Sequence, residues 1–337
     1  MNRKLALILA VILIVIVLFL APFYTFIKND LKVSPLKTIF SLDGIKKVDN
    51  QTNILILGIP GGSHEGPLLS DSITIVHYDF TKKQLISIGI PRDIWSDTLQ
   101  DKINSAYAYG EGKKEGGGLK LAKAEIGSIV GFPIEYGAVI NFQEFKKLID
   151  FIGGVDVDVQ RSFVDKKFPI DGKEDDPCGG DPEFKCRYQT VSFTKDRTHM
   201  DGETALKFVR SRNAEGDEGS DFARSQRQQL VLSAIKDKVK KTLLSFNLPK
   251  IKQLYDSLDK LVIRDISNQQ VAILFKDIGL GKNFSQKSFA LPKELFTIPN
   301  PYVYYGKYVL IPIHNDFGIV HKYVACLFST SDEKKCL

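Results

Sequence analysis

The chain contains 337 residues, of which 43% are hydrophobic and 26% are charged. This composition is typical of a globular protein and excludes a disordered chain, a collagen-like chain and a small disulfide scaffold. Lysines and arginines number 46 and acidic residues 40, so the net charge is only +6. Because no basic block appears, nucleic acid is not an expected partner. At about 150 residues per domain, the length predicts about two domains.

The first 28 residues differ from the rest of the chain. Leu5 to Phe23 is an apolar run, and as a helix it would be about 28 Å long, enough to cross the hydrocarbon core of a bilayer. Arg3 and Lys4 precede it, which predicts an N-terminus inside the cell and a remainder outside. A cleaved signal peptide is the alternative, but its apolar region usually has about 7–15 residues. We therefore predict a single-pass anchor in the cytoplasmic membrane.

From residue 29 onward, strand and helix patterns interleave, which predicts a sheet layered with helices. Asn141 and Glu144 are spaced as a capping box, and Asp201 and either Ser220 or Asp221 are expected to cap two further helices. The predicted elements in chain order are a polar stalk at 29–50, strands at 53–59, 72–78 and 84–90 (the last two as a hairpin), a flexible glycine-rich loop at 110–118, a helix at 119–130, a strand at 136–140, a helix to 151, a strand at 155–159, a long polar loop at 161–198, helices at about 201–212, 221–244 and 248–278, and a small aromatic-rich mixed segment at 286–337.

The four cysteines form two pairs that are close in sequence. Neither pair has the Cys-x-x-Cys spacing of a zinc site. Two local disulfides in an oxidising compartment are the expected arrangement, and free buried thiols are the alternative. The pairs are Cys178 with Cys186 and Cys326 with Cys336.

Arginines are concentrated in one short region. Lysines outnumber the ten arginines more than threefold, yet four arginines lie between positions 210 and 227. The guanidinium group presents a planar fork of donors that binds phosphate or carboxylate oxygens two at a time. Arg224, Arg227 and Gln228 share one face in the first turns of a helix, where the dipole favours an anion. With Arg210 and Arg212 at the end of the preceding helix, this pattern predicts a phosphate site, and a solvated salt-bridge face is the alternative.

A second group of polar residues follows the strands. His64, Glu65 and Asp71 belong to a glycine-rich loop between the first two strands, and Arg92 and Asp93 follow the third strand. The loop is not a Walker A motif, because it lacks the Gly-Lys-Ser/Thr ending. The carboxylates would suit Mg²⁺, which prefers oxygen ligands and bridges phosphates, and the arginines would neutralise charge during transfer. The alternative for Asp71 is an ordinary turn residue.

Seven segments then occur in a characteristic order: NILILG, LSDSI, SIGIPRDIW, KINSAYAYG, FIGGVDVDV, HMDGETALKFVRSR and DFARSQRQQ. Between Asn53 and Leu244 the chain therefore resembles the LytR-CpsA-Psr family of cell-envelope transferases. The resemblance implies an enzyme that takes a glycopolymer from a polyprenyl-pyrophosphate carrier and attaches it to peptidoglycan through a phosphodiester. The implied fold is an α/β fold with a central mixed sheet flanked by helices, a long apolar pocket for the lipid tail and one N-terminal transmembrane helix.

The resemblance also implies roles for single residues. Asp71 matches a metal-coordinating aspartate, and Asp93 is the candidate base, or a group that orients the base, for the acceptor hydroxyl; it could equally be a partner of an arginine. The expected catalytic residues are Arg92, Asp93, Arg210 and Arg212. The residues expected to bind the pyrophosphate are Arg92, Arg210, Arg212, Arg224, Arg227 and Gln228.

One position departs from the family pattern. Members commonly carry an aspartate two residues after the glycine of the first strand, and this chain has Pro60 there, which offers no ligand. We expect His64 or Glu65 to substitute as a ligand for Mg²⁺. The alternatives are a metal held by Asp71 alone and impaired catalysis.

The expected organisation is an anchor at 1–28, a stalk at 29–50, a catalytic domain at 51–247 and a C-terminal helical and small mixed segment at 248–337. The expected partners are the polyprenyl-pyrophosphate-linked glycan, peptidoglycan and the membrane. One rival function is a carrier pyrophosphatase, in which water replaces the sugar. The other is a non-catalytic lipid-binding or regulatory envelope protein, which Pro60 favours.

Overall fold

The structure is a computed structural model that describes residues 3–40, 44–62, 66–170, 172–173, 176–280 and 284–336. The chain divides into two units. The first comprises Met1–Thr52, Asp79–Gln84 and Ile266–Ser285, and the second comprises Asn53–Tyr78, Leu85–Asp265 and Gln286–Leu337.

The described α-helices are α1 (Arg3–Thr25), α2 (Pro35–Phe40), α3 (Ala106–Lys113), α4 (Gly118–Val130), α5 (Phe142–Phe151), α6 (Gly202–Arg210), α7 (Asp221–Leu244), α8 (Leu248–Leu261), α9 (Asn268–Leu280) and α10 (Gly318–Thr330). The described strands are β1 (Gln51–Ile59), β2 (Ser72–Asp79), β3 (Gln84–Ile90), β4 (Trp95–Ser96), β5 (Asp101–Lys102), β6 (Tyr136–Asn141), β7 (Val155–Asp158), β8 (Phe163–Pro169), β9 (Tyr188–Phe193), β10 (Arg197–Met200), β11 (Val262–Arg264), β12 (Ser285–Ala290), β13 (Phe296–Thr297) and β14 (Ile311–Pro312).

A six-stranded sheet forms the centre of the second unit, in the order β11-β6-β1-β2-β3-β12. β1 runs parallel to β6, with Leu57 opposite Val139, whereas β11 runs antiparallel to β6, with Ile263 also opposite Val139. The sheet is therefore mixed. This confirms the expected α/β fold with a central mixed sheet, and β2 and β3 are neighbours as the predicted hairpin requires.

One face of the sheet is buried in the main hydrophobic core. Side chains that alternate along the strands, such as Leu57, Ile75 and Ile88, pack together with Ile126 of α4 and Val324 of α10. Alternation of buried and less buried positions is the pattern of a strand whose two faces differ. The opposite face combines buried side chains, such as Tyr136, with partly exposed ones, such as Ile56.

A second hydrophobic core supports the arginine-rich helices. It joins β7, the β8–β9 pair, α6 and α7, and its aromatic centre consists of Phe163, Phe193 and Phe208. The Phe163 and Phe193 ring centroids lie 5.1 Å apart, and Phe208 meets Phe193 edge to face at 5.0 Å. Aromatic pairs in these geometries add to the free energy gained from burial, so this core fixes the end of α6 and the start of α7.

In the first unit, residues of the predicted stalk are hydrogen-bonded to α9. Gln269 accepts a hydrogen bond from Ser34 N at 2.6 Å and donates one to Thr38 Oγ1 at 2.9 Å. Asn268 donates to the Leu31 carbonyl at 2.9 Å. Within the described residues, the structure holds no helix that combines the length and the hydrophobicity needed to cross a bilayer.

The predicted helix starts are confirmed where capping is local. The Asn141 side chain accepts from the amides of Gln143 and Glu144, and Asp201 accepts from Thr204 N. Ser220, rather than Asp221, caps α7 by accepting from an amide of the first turn. These side chains satisfy amides that a helix N-terminus otherwise leaves without a partner.

Three predicted elements were wrong. The loop at 110–118 is helical as far as Lys113. The long loop at 161–198 contains β8 and β9, which pair antiparallel. The single helix at 248–278 is two helices, because residues 262–264 leave the helical path and pair with β6 as β11.

Candidate active site

Asp71 and Arg92 meet at the edge of the central sheet. Asp71 precedes β2, and its amide donates to the carbonyl of Gly58 in β1 at 2.8 Å. Arg92 follows the end of β3, and its Nη1 donates to Asp71 Oδ1 at 2.6 Å. Both side chains keep partial contact with solvent. The structure therefore brings together two predicted site residues that are 21 positions apart in the sequence.

Arg210 reaches the other oxygen of the same carboxylate. It is the last residue of α6, and its Nη2 lies 3.4 Å from Asp71 Oδ2. Its guanidinium also lies 5.1 Å from the ring of Phe142 and 5.8 Å from that of Phe168, which are cation–π distances. Gly58 leaves room for this arrangement, since a Cβ there would come within 2.8 Å of the Phe142 ring. Asp71 thus bridges two arginines from different elements.

The charges of this cluster also act on Arg212. Its removal from bulk water by the surrounding protein, followed by repulsion from Arg92 and Arg224, lowers the pKa of its guanidinium. Attraction to Asp93 and Asp71 acts in the opposite direction. An arginine stays protonated in proteins, so several like charges gather here around the carboxylates of Asp71 and Asp93. Such a cluster favours binding of a multivalent anion.

Asp93 has a partner that the sequence did not suggest. Lys102 of β5 donates from Nζ to Asp93 Oδ1 at 2.7 Å, and both side chains are about a quarter exposed. The Asp93 carbonyl accepts from Leu310 N at 2.9 Å. Lys102 begins the KINSAYAYG segment, but only the pairing of β4 with β5 brings it to Asp93. Asp93 is therefore an ion-paired carboxylate at the edge of the site.

Asp165 holds the turn that carries Arg210 and Arg212, and it was missed because its segment was predicted to be a loop. Its fully buried carboxylate accepts through Oδ2 from Ser211 Oγ at 2.6 Å. The same oxygen accepts from the amides of Arg212 and Asn213, each at 3.1 Å. A carboxylate that accepts several hydrogen bonds fixes a backbone firmly. Asp165 lies in a polar stretch of the sequence, so no local signal indicated this role.

Arg227 holds the same turn from the other side. It is buried, its Nε donates to the Phe208 carbonyl at 3.1 Å and its Nη2 donates to the Ser211 carbonyl at 2.5 Å. Its Nη1 donates at 3.0 Å to both the carbonyl and the side chain of Glu218. Four of the five N–H groups of a guanidinium are thereby used within the protein. The geometry favours a supporting role for Arg227 over the predicted contact with pyrophosphate.

Arg224 and Gln228 are the remaining predicted residues on α7. Arg224 is partly exposed, and its charge acts on both Arg212 and Arg227. Gln228 is exposed, and no hydrogen bond among the described residues ties it to Asp71 or to the arginines. Arg224 therefore belongs to the cluster, whereas the role of Gln228 stays a prediction.

The described residues do not by themselves form a magnesium site. Both oxygens of Asp71 face arginines, and Asp93 is paired with Lys102. Pro60 is buried and offers no ligand. The predicted ligands His64 and Glu65 lie outside the described residues. Among the residues that are described, the one group of three potential ligand side chains consists of Asp176, Cys178 and Cys186.

Both predicted disulfides are present. Cys178 is bonded to Cys186 in the connection between β8 and β9, and Cys326 of α10 is bonded to Cys336. No cysteine is free. The sulfurs beside Asp176 are therefore in a disulfide and are not metal ligands.

The second face of the central sheet carries partly exposed apolar side chains. Several of its side chains are partly exposed, although Tyr78 and Tyr136 are buried, and Ile56 of β1 lies opposite Ala138 of β6. Val76 of β2 and Ile140 of β6 are partly exposed as well. Apolar surface that stays partly accessible beside a polar site is typical of a ligand groove.

A comparison of the chain against known families agrees with the family that the order of the seven segments suggests. Residues 26–310 match the LytR_cpsA_psr family. The chain belongs to this family. The match covers most of the second unit and extends beyond Leu244, where the sequence resemblance was expected to fade.

Two relatives of the chain are named for different activities, one as a transferase and one as a regulatory protein. The chain is 28% identical over 224 residues to the polyisoprenyl-teichoic acid–peptidoglycan teichoic acid transferase TagU of Bacillus cereus. This alignment covers 65% of this chain and 62% of TagU. The chain is also 29% identical over 216 residues to the regulatory protein MsrR of Staphylococcus aureus. That alignment covers 63% of this chain and 57% of MsrR. The matched region thus spans about three fifths of each relative.

The fold is shared with solved structures. The crystal structure of TagV from Bacillus subtilis superimposes with a TM-score of 0.53 at 23% identity, and the match covers 84% of this chain and 99% of TagV. At this identity the similarity establishes the α/β fold of the LytR_cpsA_psr family and nothing about substrates.

Proposed function

We propose that the protein is a membrane-anchored phosphotransferase that moves a glycopolymer from a polyprenyl-pyrophosphate carrier to peptidoglycan. The observation that carries this proposal is the position of Asp71 between Arg92 and Arg210, with Arg212 in the same field. A site built in this way gathers several forked cationic donors at the end of a sheet. A pyrophosphate is a ligand of matching charge.

The arginines would bind the diphosphate and neutralise the charge that develops during transfer. Phosphoryl transfer depends mainly on positioning and on electrostatic stabilisation. Arg92, Arg210 and Arg212 come from two separate chain segments, so they can approach the phosphate oxygens from different sides. Asp165 and Arg227 keep the segment after α6 in place, which lowers the cost of ordering Arg210 and Arg212 around the ligand.

The proposed reaction is a displacement at the phosphorus that carries the glycan. The hydroxyl oxygen of the acceptor sugar forms a new bond to this phosphorus, and the bond from the phosphorus to the bridging oxygen of the pyrophosphate breaks. Polyprenyl monophosphate leaves with that oxygen and its electron pair. Asp93 is the proposed acceptor of the hydroxyl proton, and Lys102 holds its carboxylate in place before substrate binds.

The partly exposed apolar face of the sheet is the proposed place of the polyprenyl chain. Ile56, Val76 and Ala138 would line its path away from Asp71. Burial of such a chain contributes about 0.8 kcal/mol for each CH₂ group removed from water. This feature supports a lipid-linked donor over a soluble sugar nucleotide.

Membrane anchoring through residues 1–28, which places the rest of the chain outside the cell, remains part of the proposal. So does Mg²⁺, which would neutralise charge on the phosphate oxygens when bound. Because Asp71 is paired with two arginines, the metal depends on His64 or Glu65 as further ligands. No step of the proposed reaction above requires the metal.

The names of the relatives support the proposal in different ways. TagU is named as a transferase that acts between teichoic acid and peptidoglycan. MsrR is named as a regulatory protein, and the lack of a ligand at Pro60 favours that second candidate function. The two candidates differ in turnover, since both would retain the anion site.

A transfer assay with the full-length chain in detergent separates these functions. The donor is a polyprenyl-pyrophosphate-linked glycan, the acceptor is a peptidoglycan fragment, and Mg²⁺ is added or withheld. The proposal predicts equal amounts of polyprenyl monophosphate and of glycan–peptidoglycan conjugate. Monophosphate without conjugate would identify a pyrophosphatase, and donor binding without either product would identify a non-catalytic binding protein.

A further inference from the structure

Three tyrosine rings project from the surface next to the candidate site. Tyr302 is 92% exposed, Tyr305 is 72% exposed and Tyr308 is 52% exposed. We call these residues, together with Tyr304 and Trp95, the aromatic shelf. Aromatic side chains are seldom left this exposed, and a group of them marks an interaction surface.

The backbone of the shelf is held rigidly. Pro301–Tyr304 forms a short 3₁₀ helix, and the Asn300 side chain accepts from Tyr302 N at 3.1 Å. The turn closes through a hydrogen bond from Gly306 N to the Pro301 carbonyl at 2.9 Å. Tyr305 has a φ of 56°, which is uncommon for a bulky residue. An ordered backbone that holds exposed rings at such a φ is a feature of binding surfaces.

Trp95 packs against two of the tyrosine rings. It is almost fully buried, and its ring meets that of Tyr304 edge to face, with centroids 4.9 Å apart. The Tyr305 ring lies 6.3 Å from the same indole. The shelf therefore has a packed aromatic base and an exposed aromatic upper surface.

The shelf adjoins the Asp93 side of the site. Leu310 N donates to the Asp93 carbonyl, and Trp95 N donates to the Leu310 carbonyl, each at 2.9 Å. Lys307 Nζ lies 2.6 Å from Asp101, the neighbour of Lys102, which itself pairs with Asp93. Arg92 and Arg210 pair instead with Asp71. Since Asp93 is the proposed acceptor of the proton, the shelf lies on the side of the acceptor.

We propose that the aromatic shelf binds the glycan strand of the acceptor, with sugar rings stacked on Tyr302, Tyr305 and Tyr308. This inference rests on the proposed function for the identity of the acceptor. Tyrosine offers a flat apolar face to the C–H groups of a sugar and a hydroxyl to its oxygens, at a low cost in side-chain entropy. It thereby provides the acceptor subsite that the arginine cluster lacks.

The charge of the shelf favours a glycan over a membrane surface. A site for anionic lipids carries unpaired lysines and arginines. Residues 298–308 are all described, and the only basic side chain among them, Lys307, is paired with Asp101. The exposed rings are also tyrosines throughout, with their polar hydroxyls.

Binding of peptidoglycan glycan strands from which the peptides have been removed tests this proposal. The full-length chain is titrated into end-labelled strands, and fluorescence anisotropy reports binding. We expect the double variant Tyr302→Ala/Tyr305→Ala to bind at least about tenfold more weakly. The double variant Tyr302→Phe/Tyr305→Phe keeps the rings and should retain most of the affinity. Tyr188→Ala, which alters a tyrosine of β9 that is 37% exposed and lies outside the shelf, is the control.

The alanine pair should leave the affinity for inorganic pyrophosphate and the melting temperature unchanged, because both side chains are exposed. The proposal is overturned if the wild-type chain does not bind the strands or if the alanine pair binds them as the wild type does. It is equally overturned if the alanine pair loses only its association with lipid vesicles. Strand binding that depends on the shelf in a protein that shows no transfer would support this inference while contradicting the proposed function.

Discussion

Arg224 and Arg227 lie one helical turn apart on α7, yet their surroundings differ. Arg227 is buried and donates to carbonyls of Phe208, Ser211 and Glu218. Arg224 is partly exposed and acts electrostatically on Arg212. The hydrogen bonds of Arg227 therefore stabilise the fold, whereas Arg224 adds positive charge to the candidate phosphate site.

Lysine substitutions distinguish the two roles, because lysine keeps the charge but loses the planar fork. We expect Arg227→Lys to leave buried carbonyls unpaired and to lower the free energy of unfolding by about 2 kcal/mol, with a fall in Tm of roughly 4–8 °C. Arg224→Lys should leave the Tm unchanged and weaken binding of inorganic pyrophosphate by about tenfold. Calorimetry measures both quantities, and Arg197→Lys on exposed β10 is the control. A Tm for Arg227→Lys equal to that of the wild type would contradict its supporting role.

The candidate site could be predicted in part at this scale. Motifs in the sequence identified Asp71, Arg92, Asp93 and the four arginines from position 210 to position 227. Lys102 and Asp165 were not identified, because their significance depends on partners 9 and 46 positions away in the sequence. Motif reading identifies residues of distinctive chemistry, and it does not reveal which ordinary residues the fold brings against them.

At the scale of elements, local signals predicted well and long-range pairing did not. The capping residues Asn141, Asp201 and Ser220 act within three positions of themselves, so a short window of sequence contains the whole interaction. β11 depends on pairing with β6, more than a hundred positions earlier, and β8 depends on β9. Tertiary context overrides local propensity in such segments.

The disulfides allow a test at the scale of elements. Cys326 lies on α10, whose residues Val324 and Leu327 are buried in the main core. A bond that closes a loop of this length contributes about 2–3 kcal/mol. We therefore expect the Cys326→Ser/Cys336→Ser pair to lower the Tm of the second unit by several degrees.

The other disulfide provides the comparison. Cys178 and Cys186 close a loop with mostly exposed or partly exposed surroundings between β8 and β9. Their replacement by serine should increase hydrogen exchange in that loop while the global Tm changes less, because local opening does not require the core to unfold. Equal Tm values for the wild type and the Cys326→Ser/Cys336→Ser variant would contradict the expected stabilisation of the second unit by the disulfide on α10.

At the scale of the whole molecule, the family match extends beyond the region predicted from motifs. The match ends at residue 310, within the C-terminal segment that the sequence left without a role. That segment contributes β12 to the central sheet and Leu310 to the turn at Asp93. The motifs contain the residues of the proposed phosphate site, whereas the C-terminal segment completes the sheet and one edge of that site.

The anchor belongs to this scale as well. An enzyme that uses a polyprenyl carrier must meet its donor at the membrane surface, and residues 1–28 are the proposed means. The two rival functions would need the same location, so location alone does not distinguish them. Turnover does distinguish them, and we propose that it depends on the arginine cluster.

The rate of polyprenyl monophosphate release by Arg92→Ala is the most direct test of the central claim. Arg92 pairs with Asp71 and belongs to the charge cluster, so its removal should lower the rate on the order of 100-fold or more. Arg197→Ala removes an exposed arginine of β10 and should leave the rate within about twofold of wild type. A rate for Arg92→Ala equal to that of Arg197→Ala would contradict the assignment of the arginine cluster as the site of transfer.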